Sequence, residues 1–132
     1  SLIANGNCIV ITDGDLVLHE RKPNQVFPHF VYMIPKGTEY DDQRWILGRV
    51  GADSYMLRNK FSNRYLDVNR FNDFYTTYPG DTAIDHFKFT ADGNGKYDIS
   101  NQSNGHARSR GSNYGVKSDG SVHFFTVKKC EG

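Results

Sequence analysis

The sequence contains little that would build a helix and no long apolar run. Alanine is scarce among the 132 residues, and no window keeps the period of about 3.6 residues that marks an amphipathic helix. No apolar stretch reaches the roughly 18 residues needed to cross a bilayer, so we expect no membrane insertion. These absences favour an all-β class.

Motifs for catalysis and for metal binding are also missing. The sequence has no G-x-S-x-G, H-E-x-x-H, C-x-x-C or P-loop pattern. Its 5 histidines are well separated, without the spacing of a zinc site. The net charge of +1 lacks the basic excess typical of nucleic-acid binding. We therefore expect no enzyme, no metal or other cofactor, and no nucleic-acid partner.

Aromatic residues and glycine are what the chain does have. Aromatic side chains make up 14% of the sequence and there are 13 glycines, while the mean hydropathy is -0.64. The apolar content therefore sits in a few large rings between turn residues, a mix that favours short strands. A chain of 132 residues suits one domain with a real core.

One stretch of the sequence returns twice in weaker form. Gln43-Arg44-Trp45-Ile46-Leu47 is echoed by Asp85-His86-Phe87-Lys88-Phe89 and by His123-Phe124-Phe125-Thr126-Val127. Each places two apolar side chains two positions apart, which is the strand period. Trp45, Phe87 and Phe125 are separated by 42 and 38 residues. We interpret these three rings as equivalent core residues of a threefold internal repeat.

Each repeat contains four strand-like segments separated by turn residues. The predicted units are residues 1–52, 53–94 and 95–132, within one domain that covers 1–132. Three units of four strands resemble a β-trefoil with pseudo-threefold symmetry. The alternative is an ordinary β-sandwich whose aromatic spacing is accidental.

The two cysteines lie near opposite ends of the chain, at Cys8 and Cys130. In a closed barrel of three repeats the first and last strands meet, which predicts a disulfide between them. A bridge that closes so long a loop adds roughly 4 kcal/mol on the chain-entropy model. A disulfide indicates a secreted protein, whereas two reduced thiols would indicate a cytoplasmic one.

Tyr65-Leu66-Asp67-Val68-Asn69, taken together with Gln43-Arg44-Trp45, is similar to ricin-B-type lectin repeats. Those repeats pair a Leu-Asp-Val strand with a later Gln-x-Trp signature. Aligned with the second unit, the first unit has Val17 at the position of Asp67 and the third has Arg108. The resemblance implies a non-catalytic carbohydrate-binding protein whose partners are glycans or glycoproteins.

The second unit holds the residue types that a sugar site needs. A carboxylate and an amide fix hydroxyl groups, and an aromatic ring covers the apolar face of a pyranose. Asp67 and Asn69 supply the polar groups in this prediction, with Tyr75 or Tyr78 as the aromatic surface.

Protease inhibition is the first alternative function. Inhibitors of this kind present a rigid exposed loop to the cleft of a protease. The candidate loops are His19–His29, which contains basic residues and two prolines, and Thr77–Ile84.

A third function follows from the basic character of the last unit. Its cations would bind a sulphated glycan or a receptor if they shared one face. The residues of this predicted basic patch are Arg108, Arg110, Lys117, Lys128 and Lys129.

Overall fold

The computed structural model describes residues 1–21, 29–80 and 83–132. Over these ranges the backbone forms 13 strands, one short 3-10 helix at Asp41–Gln43 and no α-helix. The strands are β1 (Cys8–Asp13), β2 (Leu16–Glu20), β3 (His29–Pro35), β4 (Trp45–Arg49), β5 (Tyr55–Asn59), β6 (Tyr65–Val68), β7 (Phe74–Thr77), β8 (Phe87–Ala91), β9 (Lys96–Asn101), β10 (His106–Arg108), β11 (Tyr114–Gly115), β12 (Lys117–Gly120) and β13 (Phe124–Lys129).

Alternating side chains explain why these segments are strands. In β4, Trp45 and Leu47 are buried while Ile46 between them is only partly covered. In β5, Tyr55 and Leu57 are buried and Met56 is not. This period of two places one face of each strand on the core, as the sequence pattern predicts.

The first and last strands close the barrel. β1 pairs antiparallel with β13, and Ile9 lies opposite Lys129 in that ladder. β1 also pairs with β4, so the chain start lies between the ends of the first and third units. Cys8 and Cys130 form a disulfide with their Cα atoms 5.4 Å apart. The predicted disulfide is confirmed.

The core repeats three times around the barrel axis. Trp45, Phe87 and Phe125 are each at most 1% exposed and belong to one apolar cluster. Each stands at or near the start of the last strand of its unit. The fold is a β-trefoil with pseudo-threefold symmetry, and these rings are its equivalent core residues, as predicted.

The third unit differs from the other two in its third strand. There the predicted single strand is divided into β11 and β12, which pair with β3 and β10 respectively. The second and third units begin their first strands at Tyr55 and Lys96. We retain the predicted unit boundaries, and their assignment to one domain, as a proposal.

No helix in the described ranges has the length and apolar character that a membrane span requires.

Candidate functional site

A polar cluster lies between β6 and β7 in the second unit. Asp67 and Tyr75 are register partners in this ladder, and the Tyr75 hydroxyl donates a hydrogen bond to Asp67 Oδ2 at 3.1 Å. The backbone N–H of Val68 donates to Asp67 Oδ1 at 3.0 Å. Asp67 is only 7% exposed. The structure thus brings together two of the four predicted site residues, and it buries the carboxylate.

Asp85 is a second carboxyl group in this cluster. Its backbone N–H donates to Asp67 Oδ1 at 3.3 Å, and the Gln102 amide donates to Asp85 Oδ1 at 2.9 Å. Burial raises the pKa of Asp85, and the neighbouring Asp67 carboxylate raises it further. Folding therefore makes the Asp85 carboxyl group easier to protonate than it is in the unfolded chain.

Tyr75 stays neutral over the physiological range. Burial, followed by the charge of Asp67 and the hydrogen bond to it, raises the pKa of Tyr75 to about 12. Its hydroxyl remains a donor to Asp67. The arrangement of two carboxyl groups, a phenol and an amide offers both donors and acceptors to neutral hydroxyl groups.

The other two predicted site residues lie apart from this cluster. Asn69 Oδ1 accepts hydrogen bonds from the backbone N–H groups of Phe71 and Asp73, so this side chain stabilises the turn that follows β6. Tyr78 is 58% exposed, and the Arg64 guanidinium lies 4.8 Å from its ring centroid. Among the described residues, no hydrogen bond connects either side chain to Asp67.

The three units can be superposed through their hairpin pairs. The pairs that match across the three hairpins are Thr12 and Val17, one step inside the first hairpin, Arg58 and Tyr65, and Ser100 and His106. The next residues along the chain all line one central apolar cluster: Leu18, Leu66 and Ala107. Asp67 is therefore equivalent to His19 in the first unit and to Arg108 in the third.

This superposition corrects the sequence alignment of the first unit. The alignment placed Val17 at the position of Asp67, whereas the structure places His19 there. A shift of two residues keeps the same alternation of buried and exposed side chains, so the apolar pattern alone does not reveal it. By the same ladders, Tyr75 corresponds to Tyr32 and to Lys117.

The predicted basic patch is distributed over several places. Arg108 makes a two-pronged contact with Asp119 at 3.0 and 3.3 Å, and Lys117 Nζ lies 2.7 Å from an Asp73 carboxylate oxygen. The Asp119 pKa is lowered by its hydrogen bond with Arg108. Arg110 instead lies over the Tyr114 ring, 5.8 Å from its centroid.

The two lysines of the predicted patch lie on β13. Lys128 and Lys129 line a cavity of about 320 Å³ together with Lys36 and two carboxylates, Glu39 and Glu131. They pair with β1, away from the Arg108 and Lys117 ion pairs. Within the described ranges, these five cations therefore do not form one surface patch.

Both candidate inhibitor loops lie partly outside the described residues. In the first, Arg21 is described but Lys22, Pro23 and Pro28 are not; in the second, residues 81–82 are not described. Within the described part of the chain, no three His, Cys, Asp or Glu side chains gather closely enough to hold a metal ion.

We expect an Asp85→Asn variant to be more stable than the parent at pH 7 and less stabilised by acid. With its pKa raised by folding, Asp85 contributes stability that is complete below its ordinary pKa of 3.8 and is lost as the pH rises through the raised value. An amide removes the charge near Asp67 and retains a donor, a gain of about 1 kcal/mol at pH 7. Urea unfolding at pH 3.5, 5 and 7 measures the effect.

The matched control is Asp92→Asn, because the pKa of Asp92 is lowered rather than raised, chiefly by a hydrogen bond from the Asn94 backbone N–H. The difference in stability between the Asp92→Asn variant and the parent should change with pH in the opposite sense to the difference for Asp85→Asn. An Asp85→Asn protein whose stability follows the parent at all three pH values would contradict the carboxyl pair.

Comparisons with known proteins agree with the fold. A family model for ricin-type beta-trefoil lectin domain-like proteins matches residues 41–121. Erythema protein SVEP of Simulium vittatum is 64% identical over 129 residues, which make up 98% of this chain and 85% of that protein.

Solved structures with low sequence identity share the same architecture. A Polyporus squamosus lectin, solved with Neu5Aca2-6Galb1-4GlcNAc bound, aligns with a TM-score of 0.79 at 15% identity, over 96% of this chain and 50% of that one. A salivary protein from Culex quinquefasciatus aligns with a TM-score of 0.70 at 17% identity, over 95% and 94% of the two chains. On its sequence matches, the chain belongs to the family of ricin-type β-trefoil lectin domain-like proteins.

Proposed function

We propose that this protein binds neutral glycans, without catalysis, at the second unit. The observation that carries the proposal is the pairing of Asp67 with Asp85, with the Tyr75 hydroxyl bonded to Asp67. Carbohydrate hydroxyls are both donors and acceptors, and this cluster presents both kinds of group. The family supports the same function, because lectins use this fold.

The four predicted residues have different tasks in this proposal. Asp67 is largely buried and holds Asp85 and Tyr75 in place. Asn69 maintains the turn that follows β6. The exposed Tyr78 ring, with the Arg64 guanidinium over one face, offers its other face to the apolar side of a sugar residue beyond the cluster. Asp85 and the exposed Gln102 contribute the groups that meet the ligand.

We also propose that the protein is secreted and meets its glycans on glycoproteins. The disulfide between Cys8 and Cys130 supports an oxidising environment. The salivary origin of the structurally similar Culex protein is consistent with it. The inhibitor and receptor alternatives remain predictions, since no described contact favours either.

A glycan array of neutral oligosaccharides, followed by calorimetry on the best ligand, tests the site. Tyr75→Phe keeps the ring and removes the hydroxyl bonded to Asp67, and Asp67→Ala removes the central carboxylate. We expect each to weaken binding at least tenfold, about 1.4 kcal/mol. These losses should occur without loss of the folded near-UV spectrum.

Arg108→Gln is the matched control, because Arg108 occupies the equivalent position in the third unit. It should leave neutral-glycan affinity unchanged. Absence of any neutral-glycan binding at millimolar concentration, or full affinity in the Asp67→Ala protein, would overturn the proposal.

A further inference from the structure

Tyr32 divides two cavities at the end of the barrel where the hairpins of the first and third units meet. A cavity of about 320 Å³ is lined by His19, Arg21, Tyr32, Ile34 and Asn113. A second cavity, of about 190 Å³, is lined by Phe30, Tyr32, Asp73, Phe74, Arg110 and Gly115. Because Tyr32 lines both, the two cavities adjoin, and together they are here called the Tyr32 groove.

An arginine lies in each half of the Tyr32 groove. The Arg21 guanidinium is 5.0 Å from the Tyr32 ring centroid, and its Nη1 donates to the Tyr32 hydroxyl at 3.0 Å. Arg110 donates through Nε to the Gly115 carbonyl at 3.0 Å. In both cases one part of the guanidinium is fixed by a neutral acceptor, and among the described residues its other N–H groups form no hydrogen bond.

The two arginines come from equivalent positions in the trefoil. Arg21 stands two residues after His19, and Arg110 stands two residues after Arg108, which is the equivalent of His19. Tyr32 and Gly115 are register partners across β3 and β11, which brings the two hairpins together. This register, rather than the pseudo-threefold symmetry, brings Arg110 to the same aromatic ring as Arg21.

Gly115 brings the second arginine close to Tyr32. A side-chain carbon added at Gly115 would lie 3.4 Å from Tyr32 Cε1 and 3.8 Å from Arg110 Nη2. The space that a side chain at Gly115 would fill is thus in van der Waals reach of both the ring and the guanidinium. The tyrosine face and the Arg110 N–H groups border the same space.

The charges around the Tyr32 groove favour an anion. Within the described ranges, neither Arg21 nor Arg110 has a carboxylate oxygen within 4.0 Å, whereas Arg44 and Arg108 do. Asp73 lines the smaller cavity, but Lys117 neutralises it at 2.7 Å. The groove therefore has uncompensated positive charge beside an aromatic surface.

We propose that the Tyr32 groove is a second ligand site, which binds a sulphated glycan. Guanidinium groups match the oxygen geometry of a sulphate ester through paired N–H donors. The Tyr32 ring covers the apolar face of the sugar that carries the sulphate. This site goes beyond the neutral-glycan site of the second unit, with which it shares none of the residues that bind.

The test uses a heparin-derived hexasaccharide and the same hexasaccharide after chemical desulphation, at several salt concentrations. We expect Arg21→Gln/Arg110→Gln to bind the sulphated hexasaccharide at least tenfold more weakly than the parent. Its affinity should also fall less steeply with salt, because fewer charged contacts are made. The desulphated hexasaccharide should bind neither protein.

Lys128→Gln/Lys129→Gln is the matched control, since it removes the same charge from β13. It should keep the affinity of the parent within about twofold once salt is held constant. Equal losses of affinity in the two double variants would show that the hexasaccharide is attracted to any basic charge, and would overturn the site. Unchanged binding in the arginine variant would overturn it as well.

A third arm uses single-stranded DNA of the same net charge as the hexasaccharide. Binding of that DNA at equal affinity, with the same loss in the arginine variant, would overturn selectivity for a sulphated sugar. The neutral-glycan experiment is independent, because Tyr75→Phe should leave sulphated binding intact. Failure of one site is thereby distinguished from failure of the other.

Discussion

Replacing Trp45 with alanine should lower the free energy of unfolding by about 4 kcal/mol. The indole is fully buried and packs in the common apolar cluster. Its Nε1 lies 3.5 Å from the Leu18 carbonyl oxygen, so truncation also leaves a buried acceptor without this donor. Chemical unfolding followed by far-ultraviolet circular dichroism measures the loss without relying on tryptophan fluorescence.

Trp45→Phe is the matched control for this prediction. It installs the ring that the other two units have at the equivalent position, at Phe87 and Phe125. The smaller cavity should cost about 1 to 2 kcal/mol. If the alanine variant lost less than the phenylalanine variant, Trp45 would not be the core residue of the first unit.

The three-unit architecture was predictable from these same rings. Phe61 and Phe71 are about 60% exposed, so aromatic character alone does not mark the core. What marks it is the recurrence of a large ring at the equivalent strand position of each unit. Closure of the barrel then predicted the contact between Cys8 and Cys130. Both inferences rest on apolar burial and chain topology, which can be recognised from the order of the residues.

The register of the first unit and the partners of Asp67 were not predictable in the same way. A two-residue shift in β2 conserves the apolar alternation, so Val17 and His19 are indistinguishable by pattern. Asp85 precedes β8, which pairs with β5, the neighbour of β6, and its Gln102 partner belongs to the next unit. The one available signal was that Asp85 occupies the Gln43 position of the repeat.

The residues of the Tyr32 groove were even harder to predict from the sequence. Arg21 and Arg110 lie in different units, and the sequence analysis assigned them to an inhibitor loop and to a basic patch. Side-chain charge alone did not separate Arg110 from Arg108, whose carboxylate partner is Asp119. Ion pairs between neighbouring strands determine which cations remain for a ligand. These ion pairs depend on the register of strand pairing, which composition does not reveal.

Removing the disulfide should lower the free energy of unfolding by about 4 to 5 kcal/mol, the entropy that a cross-link of this span removes from the unfolded chain. Cys8 and Cys130 are separated by 122 residues, nearly the whole chain. Cys8→Ser/Cys130→Ser removes the link but keeps the ladder of β1 and β13, including the hydrogen bond from the Cys130 backbone N–H to the Cys8 carbonyl at 3.1 Å. Urea unfolding of the parent and the double variant measures the difference.

The parent protein in reducing buffer is the control, because it loses the cross-link without any change of side chain. Reduced parent and double variant should unfold at nearly the same urea concentration, and the slope with urea should fall in the oxidised parent because its unfolded chain exposes less surface. If the free energies differ by less than about 1 kcal/mol, the contacts of β1 with β13 and β4 already hold the chain ends together. Stability would then come from the closed sheet rather than from the bridge.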